Sequence, residues 1–259
     1  MSALLEFAQT THKAAAELGK PDRRARGLCG ARAARWRDEE ILMTLRPATV
    51  SNEVLGRVAC ASLVDAMGRV HRHRAHILSL VSPAPRRLFG RVATIAYVPY
   101  REDLPQSELG FGALFYEAVG NSPAGTVLVL SSGGYPDASH GGGTKLSRLE
   151  HTRAAGVLAD GRLRDFDQLG KYGFATWCRG EATRWGGDTV MPFAANVAVE
   201  IGGVCVIPGD YLYADASGAV VIPSASLQRV IDEALRVEVE DARSLEQIAT
   251  QQPEETSHE

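Results

Sequence analysis

The pattern of apolar and polar residues separates a first half of helices and longer strands from a second half of short strands. Helical spacing of apolar residues predicts one helix over 47–70 and a shorter one over 113–119. Two runs rich in β-branched and aliphatic residues, 91–98 (RVATIAYV) and 126–130 (TVLVL), predict strands in the core. The first half is therefore predicted to alternate helices with strands.

Short strands are predicted from residue 174 onwards. Gly-Gly, Pro-Gly-Asp and Ser-Gly turns separate them, which is typical of hairpins. The predicted strands are 174–178, 197–201, 204–207, 211–215 and 219–222. A last helix is predicted over 227–248, with Ser224 or Ser226 as its cap. The fold class is therefore α/β, a mixed sheet sandwich with outer helices.

Both ends of the chain differ in composition from the middle. Residues 1–45 are rich in alanine and arginine and predict an extension that is helical or partly disordered. Nucleic-acid binding is the alternative, although Trp36 is the sole aromatic residue within the arginine cluster. The polar residues 249–259 predict a disordered tail, which leaves 46–248 as one domain.

Composition and charge narrow the function classes. With 259 residues, 45% hydrophobic and 23% charged, the chain has the composition of an ordinary globular protein. Its formal net charge of -3 gives no overall attraction to nucleic acid or to an acidic membrane. No apolar run approaches the roughly 20 residues of a membrane helix, and polar residues interrupt the N-terminal stretch. We therefore expect a cytoplasmic protein with neither nucleic acid nor membrane as a partner.

Cysteine and histidine spacing does not indicate a zinc site. The four cysteines are isolated along the chain, at positions 29, 60, 178 and 205, and we expect them to be buried free thiols. His71 and His73 alternate and could bind a metal from one face of a strand. The segment HRHRAH has no acidic ligand nearby, so a basic surface turn explains it better.

The candidate functional stretch is residues 141–165, GGGTKLSRLEHTRAAGVLADGRLRD. It predicts a glycine loop, a helix from about Thr144, a buried strand and a turn, and unpaired N–H groups at such a helix start attract anions. Arg164 and Asp165 follow. The guanidinium of an arginine can bind a carboxylate, and the carboxylate oxygen of an aspartate is a ligand for hard metal ions. The loop lacks the glycine spacing of a dinucleotide site and the ending of a P-loop, so it predicts a site for small anions.

Simpler explanations exist for some of these residues. Arg164 and Asp165 could form an ion pair that closes the turn. Lys145 could lie exposed at the helix start or contact a substrate. His140 and His151 flank the loop and its helix, and either could touch a substrate, although solvent exposure suits His151 better.

The order of several motifs resembles the RraA-like family. The matching residues are a four-residue glycine loop followed by Gly156, Val157, Asp160, Gly161, Arg164 and Asp165. The closing run GGVCVIPGDYLYADASGAVVIP at 202–223 and RLFGRVATI at 87–95 are also similar to the family. This family joins regulators of ribonuclease E to class II pyruvate aldolases acting on 4-hydroxy-4-methyl-2-oxoglutarate, and its members are often mislabelled demethylmenaquinone methyltransferases.

The resemblance, which covers roughly residues 46–240, implies a β/β/α sandwich of the swivelling phosphohistidine-domain type. It also implies a homo-oligomer, a trimer or a hexamer, with active sites between subunits. The expected activity is a metal-dependent lyase that cleaves or decarboxylates a small-molecule 2-keto (di)carboxylic acid, such as oxaloacetate, through a pyruvate enolate.

The resemblance also implies roles for individual residues. Asp165 would hold Mg²⁺ or Mn²⁺, largely through ordered waters, and Arg164 would bind the substrate carboxylate and keto oxygen. Backbone amides of the loop Gly142, Gly143, Thr144 and Lys145 would bind the carboxylate. Glu240 would assist catalysis from a neighbouring subunit.

This chain departs from the family pattern in the loop. Gly143 stands where an acidic residue that orients metal-bound water is common, and Thr144 and Lys145 stand where aliphatic residues are usual. Two alternatives to the lyase therefore stay open. One is a non-catalytic regulator that binds a ribonuclease, and the other is a repurposed enzyme for another enolate-type reaction.

Overall fold

The computed structural model describes residues 50–104 and 110–251. In these residues the strands are β1 (His76–Ile77), β2 (Leu88–Pro99), β3 (Thr126–Leu130), β4 (Ser139–Gly141), β5 (Gly156–Ala159), β6 (Arg162–Leu163), β7 (Ala175–Trp177), β8 (Val190–Ala195), β9 (Val199–Ile201), β10 (Val204–Val206), β11 (Tyr211–Asp215) and β12 (Gly218–Ile222). The helices are α1 (Asn52–Leu55), α2 (Cys60–Val70), α3 (Phe111–Val119), α4 (Gly143–Thr152), α5 (Phe166–Leu169) and α6 (Leu227–Thr250), with a 3₁₀ turn at Ser224–Ser226. The predicted extension and most of the predicted tail lie outside the described residues, so the predicted domain bounds stay predictions.

One eight-stranded sheet organises the described residues. Its order is β1-β12-β11-β2-β3-β5-β7, with β8 paired to β2 off this path. Neighbours along β2-β3-β5-β7 are parallel, whereas β1, β12, β11 and β8 join by antiparallel pairing. Because the parallel strands end at the same edge, the loops that follow β3 and β5 come together there.

Burial on both faces explains the continuous apolar run of β3. Leu128 and Leu130 belong to a core shared with α3 and α4, whereas Val127 and Val129 belong to a core shared with β9 and β10. Successive side chains of a strand point to opposite faces. The helices and the β9–β10 hairpin therefore cover opposite faces of the sheet.

The same alternation continues in β11 and β12. Leu212 and Val221 face the core that contains the hairpin, whereas Tyr213 and Val220 pack in a third core with α2 and α6. The layers are therefore hairpin, main sheet and helices, which is a β/β/α sandwich. The predicted fold class, a mixed sheet sandwich with outer helices, is confirmed.

The prediction of one continuous helix over 47–70 is wrong. α1 ends at Leu55, and α2 begins only at Cys60. The N–H of Cys60 donates to Oδ2 of Asp215 at 2.9 Å, and the N–H of Ala59 donates to Oγ of Ser62 at 3.1 Å. These contacts fix a new helix start, because the N–H groups at the start of α2 have no partners within the helix.

Strand β8 has no counterpart among the predicted strands. It contains Pro192, which lacks the N–H that a central strand needs. In the described part of the chain β8 pairs with β2 alone, and the register shifts between Ala96 and Tyr97. Proline is tolerated on such an edge strand.

The cysteine prediction holds for two of the described thiols and fails for the third. Cys60 and Cys178 are free and buried, and burial raises their pKa to about 12 and about 11. Cys205 is free but exposed, because it lies on the outer face of the hairpin opposite Glu200. Cys29 lies outside the described residues. None of the described helices has the length and apolar character needed to cross a membrane.

Candidate functional site

A short parallel strand pair brings the glycine loop to Arg164 and Asp165. β4 pairs with β6, with Gly141 in register with Leu163. The N–H of Arg164 donates to the carbonyl oxygen of Gly141 at 2.9 Å. The Arg-Asp pair therefore lies directly beside the start of α4, as the order of motifs predicts.

Asp165 occupies a strained position and contacts the start of α4. Its backbone lies in the left-handed region, with φ 64° and ψ 48°, which asparagine and aspartate tolerate better than most residues. Its Oδ2 accepts the N–H of Gly143 at 3.0 Å. Oδ1 has no hydrogen-bond partner among the described residues. One oxygen therefore anchors the carboxylate, and the other is available to a ligand.

Position 142 requires glycine, because the Asp165 carboxylate lies too close to leave room for a side chain. A Cβ atom at Gly142 would lie 2.6 Å from Oδ2 of Asp165 and 3.2 Å from Cβ of Arg164. A side chain here would displace the carboxylate or the loop.

The space beside Gly143, where an acidic residue is common in the family, is occupied by another side chain. A Cβ atom at Gly143 would lie 2.0 Å from Oε1 of Gln168. Gln168 donates to the Tyr172 hydroxyl at 2.7 Å, and that hydroxyl donates to the carbonyl oxygen of Gly143 at 3.1 Å. A hydrogen-bonded glutamine and tyrosine therefore occupy the space beside Gly143.

All of the predicted site residues except Gly143 and Glu240 line one cleft of about 230 Å³. It is lined by Ser139, Gly141, Gly142, Thr144, Lys145, Arg164, Asp165 and Trp185. The side chain of Arg164 is half-buried and has no hydrogen bond or ion pair with another described residue. An ion pair between Arg164 and Asp165 that closes the turn is therefore not formed, and the guanidinium is available to an anion.

Lys145 is partly buried at the edge of this cleft. Its Nζ lies 5.6 Å from the centre of the Phe111 ring, a distance at which an ammonium group and an aromatic face attract each other. Burial lowers the pKa of Lys145, and the nearby Arg148 lowers it further. The cleft therefore holds two basic side chains and one carboxylate, a charge balance that favours an anionic ligand.

Glu240 lies elsewhere in the chain. It is exposed on α6, where its Oε2 lies 2.8 Å from Nη2 of Arg69. It does not line the cleft of its own chain. A role for Glu240 across a subunit interface stays a prediction.

His140 is buried and does not line the cleft. It is 1% exposed, with Nδ1 2.9 Å from the carbonyl oxygen of Ala138 and Nε2 3.0 Å from that of Ser132. Burial lowers the pKa of His140, although the two carbonyl oxygens favour the charged ring and oppose this shift. A Cβ at Gly161 would lie 1.9 Å from Nδ1, so the glycine of the Asp-Gly turn is needed for packing against His140.

Lowering the pH should weaken the fold through His140. Its folded-state pKa lies below the ordinary 6.5, so the unfolded chain binds the proton more readily and stability is lost as pH falls below about 6.5. One such group contributes at most about 1.4 kcal/mol per pH unit. Urea unfolding between pH 7.5 and pH 5 should give a smaller pH dependence for His140→Gln than for the wild type. Equal slopes in the two proteins would contradict this assignment.

Asp160 has a structural role that its motif does not reveal. It is buried, and its Oδ1 accepts both Nε and Nη2 of Arg179 at 3.1 and 2.7 Å. Arg179 also donates to the carbonyl oxygen of Leu78 at 2.9 Å. This pair ties the end of β5 to the segment after β7 and keeps the Asp-Gly turn in place.

The site suits a metal ion only if the substrate or solvent completes its coordination. The described part of the chain contains no group of three or more His, Cys, Asp or Glu side chains able to hold an ion. Asp165 offers one carboxylate oxygen, and Mg²⁺ is commonly held by one or two carboxylates together with water and substrate oxygens. A single-carboxylate site of that kind fits these residues.

The comparison with known families agrees with this geometry. The profile of the RraA-like family, described as Aldolase/RraA, matches residues 60–221. The match includes the glycine loop, the Arg-Asp pair and most of the main sheet. The chain belongs to the RraA-like family. The resemblance drawn from its motifs is confirmed.

Curated relatives of this RraA-like protein align with part of their length. Protein DlpA of Legionella pneumophila is 24% identical over 167 residues, which is 63% of this chain and 26% of DlpA. A Halalkalibacterium halodurans protein, provisionally named a 4-hydroxy-4-methyl-2-oxoglutarate aldolase, is 31% identical over 126 residues, 49% of this chain and 58% of its own. A Burkholderia mallei protein with the same provisional name is 31% identical over 121 residues, 45% of this chain and 70% of its own. The chain thus spans less than two thirds of the length of the first two relatives.

Solved structures share the fold. RraAS2 of Streptomyces coelicolor, described as an unusual member of the RNase ES inhibitor RraA family, has a TM-score of 0.68 and 26% identity, and the match covers 78% of this chain and all 100% of RraAS2. An uncharacterized Pseudomonas syringae protein has a TM-score of 0.66 at 24% identity, with coverage of 80% and 93%. The second likeness supports the fold alone.

Sequence reasoning missed four residues around the site, one of which is Ser139 in the wall of the cleft. Trp185 reaches the cleft from the loop before β8, and Gln168 and Tyr172 fill the space beside Gly143. The Gly/Thr/Trp composition of the loop before β8 marks it as a turn but carries no signal of its partner. These contacts join residues that are distant in sequence or that face each other only once α5 has formed.

Proposed function

We propose that this RraA-like protein is a divalent-metal-dependent carbon–carbon lyase. Its substrate would be a small 2-keto (di)carboxylic acid, cleaved or decarboxylated through a pyruvate enolate. The observation that carries the proposal is the unpaired guanidinium of Arg164 beside the anchored carboxylate of Asp165, both facing a glycine loop. The provisional aldolase names of two relatives that are 31% identical support this reaction class.

The chain offers two kinds of donor to a substrate carboxylate. The N–H groups in the first turn of a helix lack helical partners, and Asp165 takes only that of Gly143. The N–H groups of Thr144 and Lys145 therefore remain for an anion at the positive end of α4. Arg164 can bind the carboxylate and the keto oxygen together, because a guanidinium presents paired N–H donors.

Bond cleavage sends an electron pair towards the keto group and creates negative charge on its oxygen. Arg164 would stabilise that charge, and Asp165 would hold Mg²⁺ or Mn²⁺. A bound ion of this kind supplies Lewis-acid stabilisation of charge on a substrate oxygen. Lys145 is a candidate for proton transfer, because its lowered pKa brings the amine closer to the pH range in which it exchanges a proton.

The proposal includes a homo-oligomer, a trimer or a hexamer, in which Glu240 reaches the site of a neighbouring subunit. Sedimentation velocity of the purified chain measures this directly. A monomer with full activity would remove any role for Glu240 across an interface.

Turnover of oxaloacetate and of 4-hydroxy-4-methyl-2-oxoglutarate tests the function. We expect pyruvate release that requires added Mg²⁺ or Mn²⁺, stops with a chelator and returns when the metal is restored. Pyruvate is measured with lactate dehydrogenase, and oxaloacetate with metal but no protein corrects for its spontaneous decarboxylation. Absence of metal-dependent release from a panel of 2-keto acids would refute the lyase proposal.

The second candidate is a non-catalytic regulator that binds a ribonuclease. The structural similarity to RraAS2, which is described as an unusual member of the RNase ES inhibitor RraA family, favours it. Inhibition of a ribonuclease E-type enzyme without keto-acid turnover would select it.

A repurposed enzyme for another enolate-type reaction is suggested by Lys145 and the Gln168 side chain beside the loop. Thermal shift with hydroxy and keto acids would reveal its ligand, because a ligand of the folded state raises Tm.

A further inference from the structure

A second cleft adjoins the candidate site. It has a volume of about 330 Å³ and shares Ser139 and Trp185 with the first cleft. Tyr135 and Pro136 form much of its remaining wall. The two clefts therefore adjoin at Ser139 and Trp185, and a ligand that reached from one to the other would pass these residues.

Two aromatic side chains stand exposed at this second cleft. Trp185 is 58% exposed and Tyr135 is 44% exposed, although large aromatic surfaces usually gain stability by leaving water. Two unpacked aromatic rings that line one concavity are typical of a binding surface.

The position of Trp185 is built into its loop. A Cβ at Gly187 would lie 2.0 Å from Cζ2 of the Trp185 ring, so the ring packs directly on that backbone. A Cβ at Gly186 would lie 2.3 Å from the carbonyl oxygen of Ser139, so the loop packs equally closely on β4. The N–H of Thr189 donates to the carbonyl oxygen of Gly186 at 2.9 Å and closes the loop. Trp185 is therefore held beside the site by close backbone packing.

The charges of the second cleft are paired. Arg184 forms an ion pair with Asp188, and Asp137 pairs with Arg162 at 3.1 Å. Arg164 in the first cleft has no such partner. The first cleft therefore suits an anionic group, and the second suits an uncharged, planar one.

We propose that the second cleft binds an aromatic ring on the part of the substrate that leaves as the carbonyl product. The substrate class would be 4-aryl-4-hydroxy-2-keto acids. This inference rests on the proposed lyase function and extends it from the keto-acid end to the far end of the substrate.

The reaction of this class balances without an oxidant or reductant. The C3–C4 bond breaks and its electron pair remains with C3, which forms the enolate of pyruvate. The C4 hydroxyl loses its proton to a base, and C4 becomes the carbonyl carbon of an aryl aldehyde. A proton then adds to C3 and completes pyruvate.

Two inert probes test the subsite in the full chain with Mg²⁺ present. 4-Phenyl-2-oxobutanoate carries the ring but lacks the hydroxyl needed for cleavage, and 2-oxobutanoate lacks the ring. In isothermal titration, the wild-type protein should bind the phenyl probe about tenfold more tightly than 2-oxobutanoate. Stacking of a ring on an aromatic side chain lowers Kd by about that factor. In Tyr135→Ala and Trp185→Ala this ratio should fall towards one, and Tyr135→Phe should keep most of it.

Three outcomes would overturn the subsite. The wild type could show no preference for the phenyl probe, both alanine variants could keep the preference, or neither probe could bind. If Trp185→Ala instead dissociates an oligomer in sedimentation, without changing the ratio of the two affinities, the rings belong to a contact between subunits.

Oxaloacetate turnover separates failure of the subsite from failure of the proposed function. Metal-dependent turnover without a preference for the phenyl probe rejects the subsite alone, whereas absence of both turnover and probe binding rejects the proposed function as well. Tm and circular dichroism of each variant exclude misfolding as the cause.

Discussion

Replacement of Asp165 by asparagine should reduce kcat for metal-dependent pyruvate release by about a thousandfold, the loss seen when one group that stabilises transition-state charge is removed. Asparagine has nearly the same shape and tolerates the left-handed backbone at φ 64°. Its amide oxygen can still accept the N–H of Gly143, which the carboxylate accepts at 3.0 Å. The fold should therefore survive, and the lost charge should remove the metal ion.

The matched control is Asp167→Asn, the same chemical change two residues later. Asp167 is exposed on α5 and does not line the cleft, so its replacement should leave kcat within about twofold of wild type. A second measurement is the increase in Tm with added MgCl₂, which Asp165→Asn should lose and Asp167→Asn should keep. If Asp165→Asn kept a tenth or more of the wild-type rate, Asp165 would be a helix-capping residue and the metal assignment would fail.

Replacement of Gly161 by alanine should destabilise the protein by about 3 kcal/mol, at the upper end of the usual cost of overpacking a core. The added Cβ would lie 1.9 Å from Nδ1 and 2.2 Å from Cε1 of His140. The ring cannot move aside easily, because both nitrogens face carbonyl oxygens within 3.0 Å and the side chain is buried. Urea unfolding at pH 7.5 measures the effect.

Gly68→Ala is the control for Gly161→Ala. Gly68 lies within α2, and a Cβ there meets no atom within 4 Å. Since alanine favours a helix over glycine, this variant should be more stable by about 0.5–1 kcal/mol. In a His140→Ala background, Gly161→Ala should cost little, because the clashing ring is gone. An equal cost with and without the His140 ring would show that the Asp-Gly turn needs glycine for another reason.

The site was predictable where local pattern and chain order determine it. Parallel strand ends meet at one edge of a sheet, so a glycine loop after β3 and an Arg-Asp pair after β5 had to approach each other. The apolar runs of β3 and β11 predicted those strands with their observed bounds. The sequence pattern therefore predicts the strands of the sheet and the closeness of the glycine loop to the Asp165 carboxylate.

Contacts between distant residues account for what sequence reasoning missed. The break before α2 depends on Asp215, which lies 155 residues from Cys60. The departure at Gly143 suggested a missing acid, but only the structure shows the Gln168 side chain in that space. The sequence around Trp185 does not predict that this residue lies beside the glycine loop. Such features require knowledge of which surfaces meet.

The two-sided burial of β3 has a consequence for motion near the site. Its side chains divide between two cores, so β3 cannot separate from the sheet without disrupting both. Such strands exchange their amide hydrogens only when the whole molecule opens, whereas surface loops open independently at lower free energy. The loop that follows β3 therefore starts from a fixed strand, and we expect the amides of β3 to be among the slowest of the described residues to exchange.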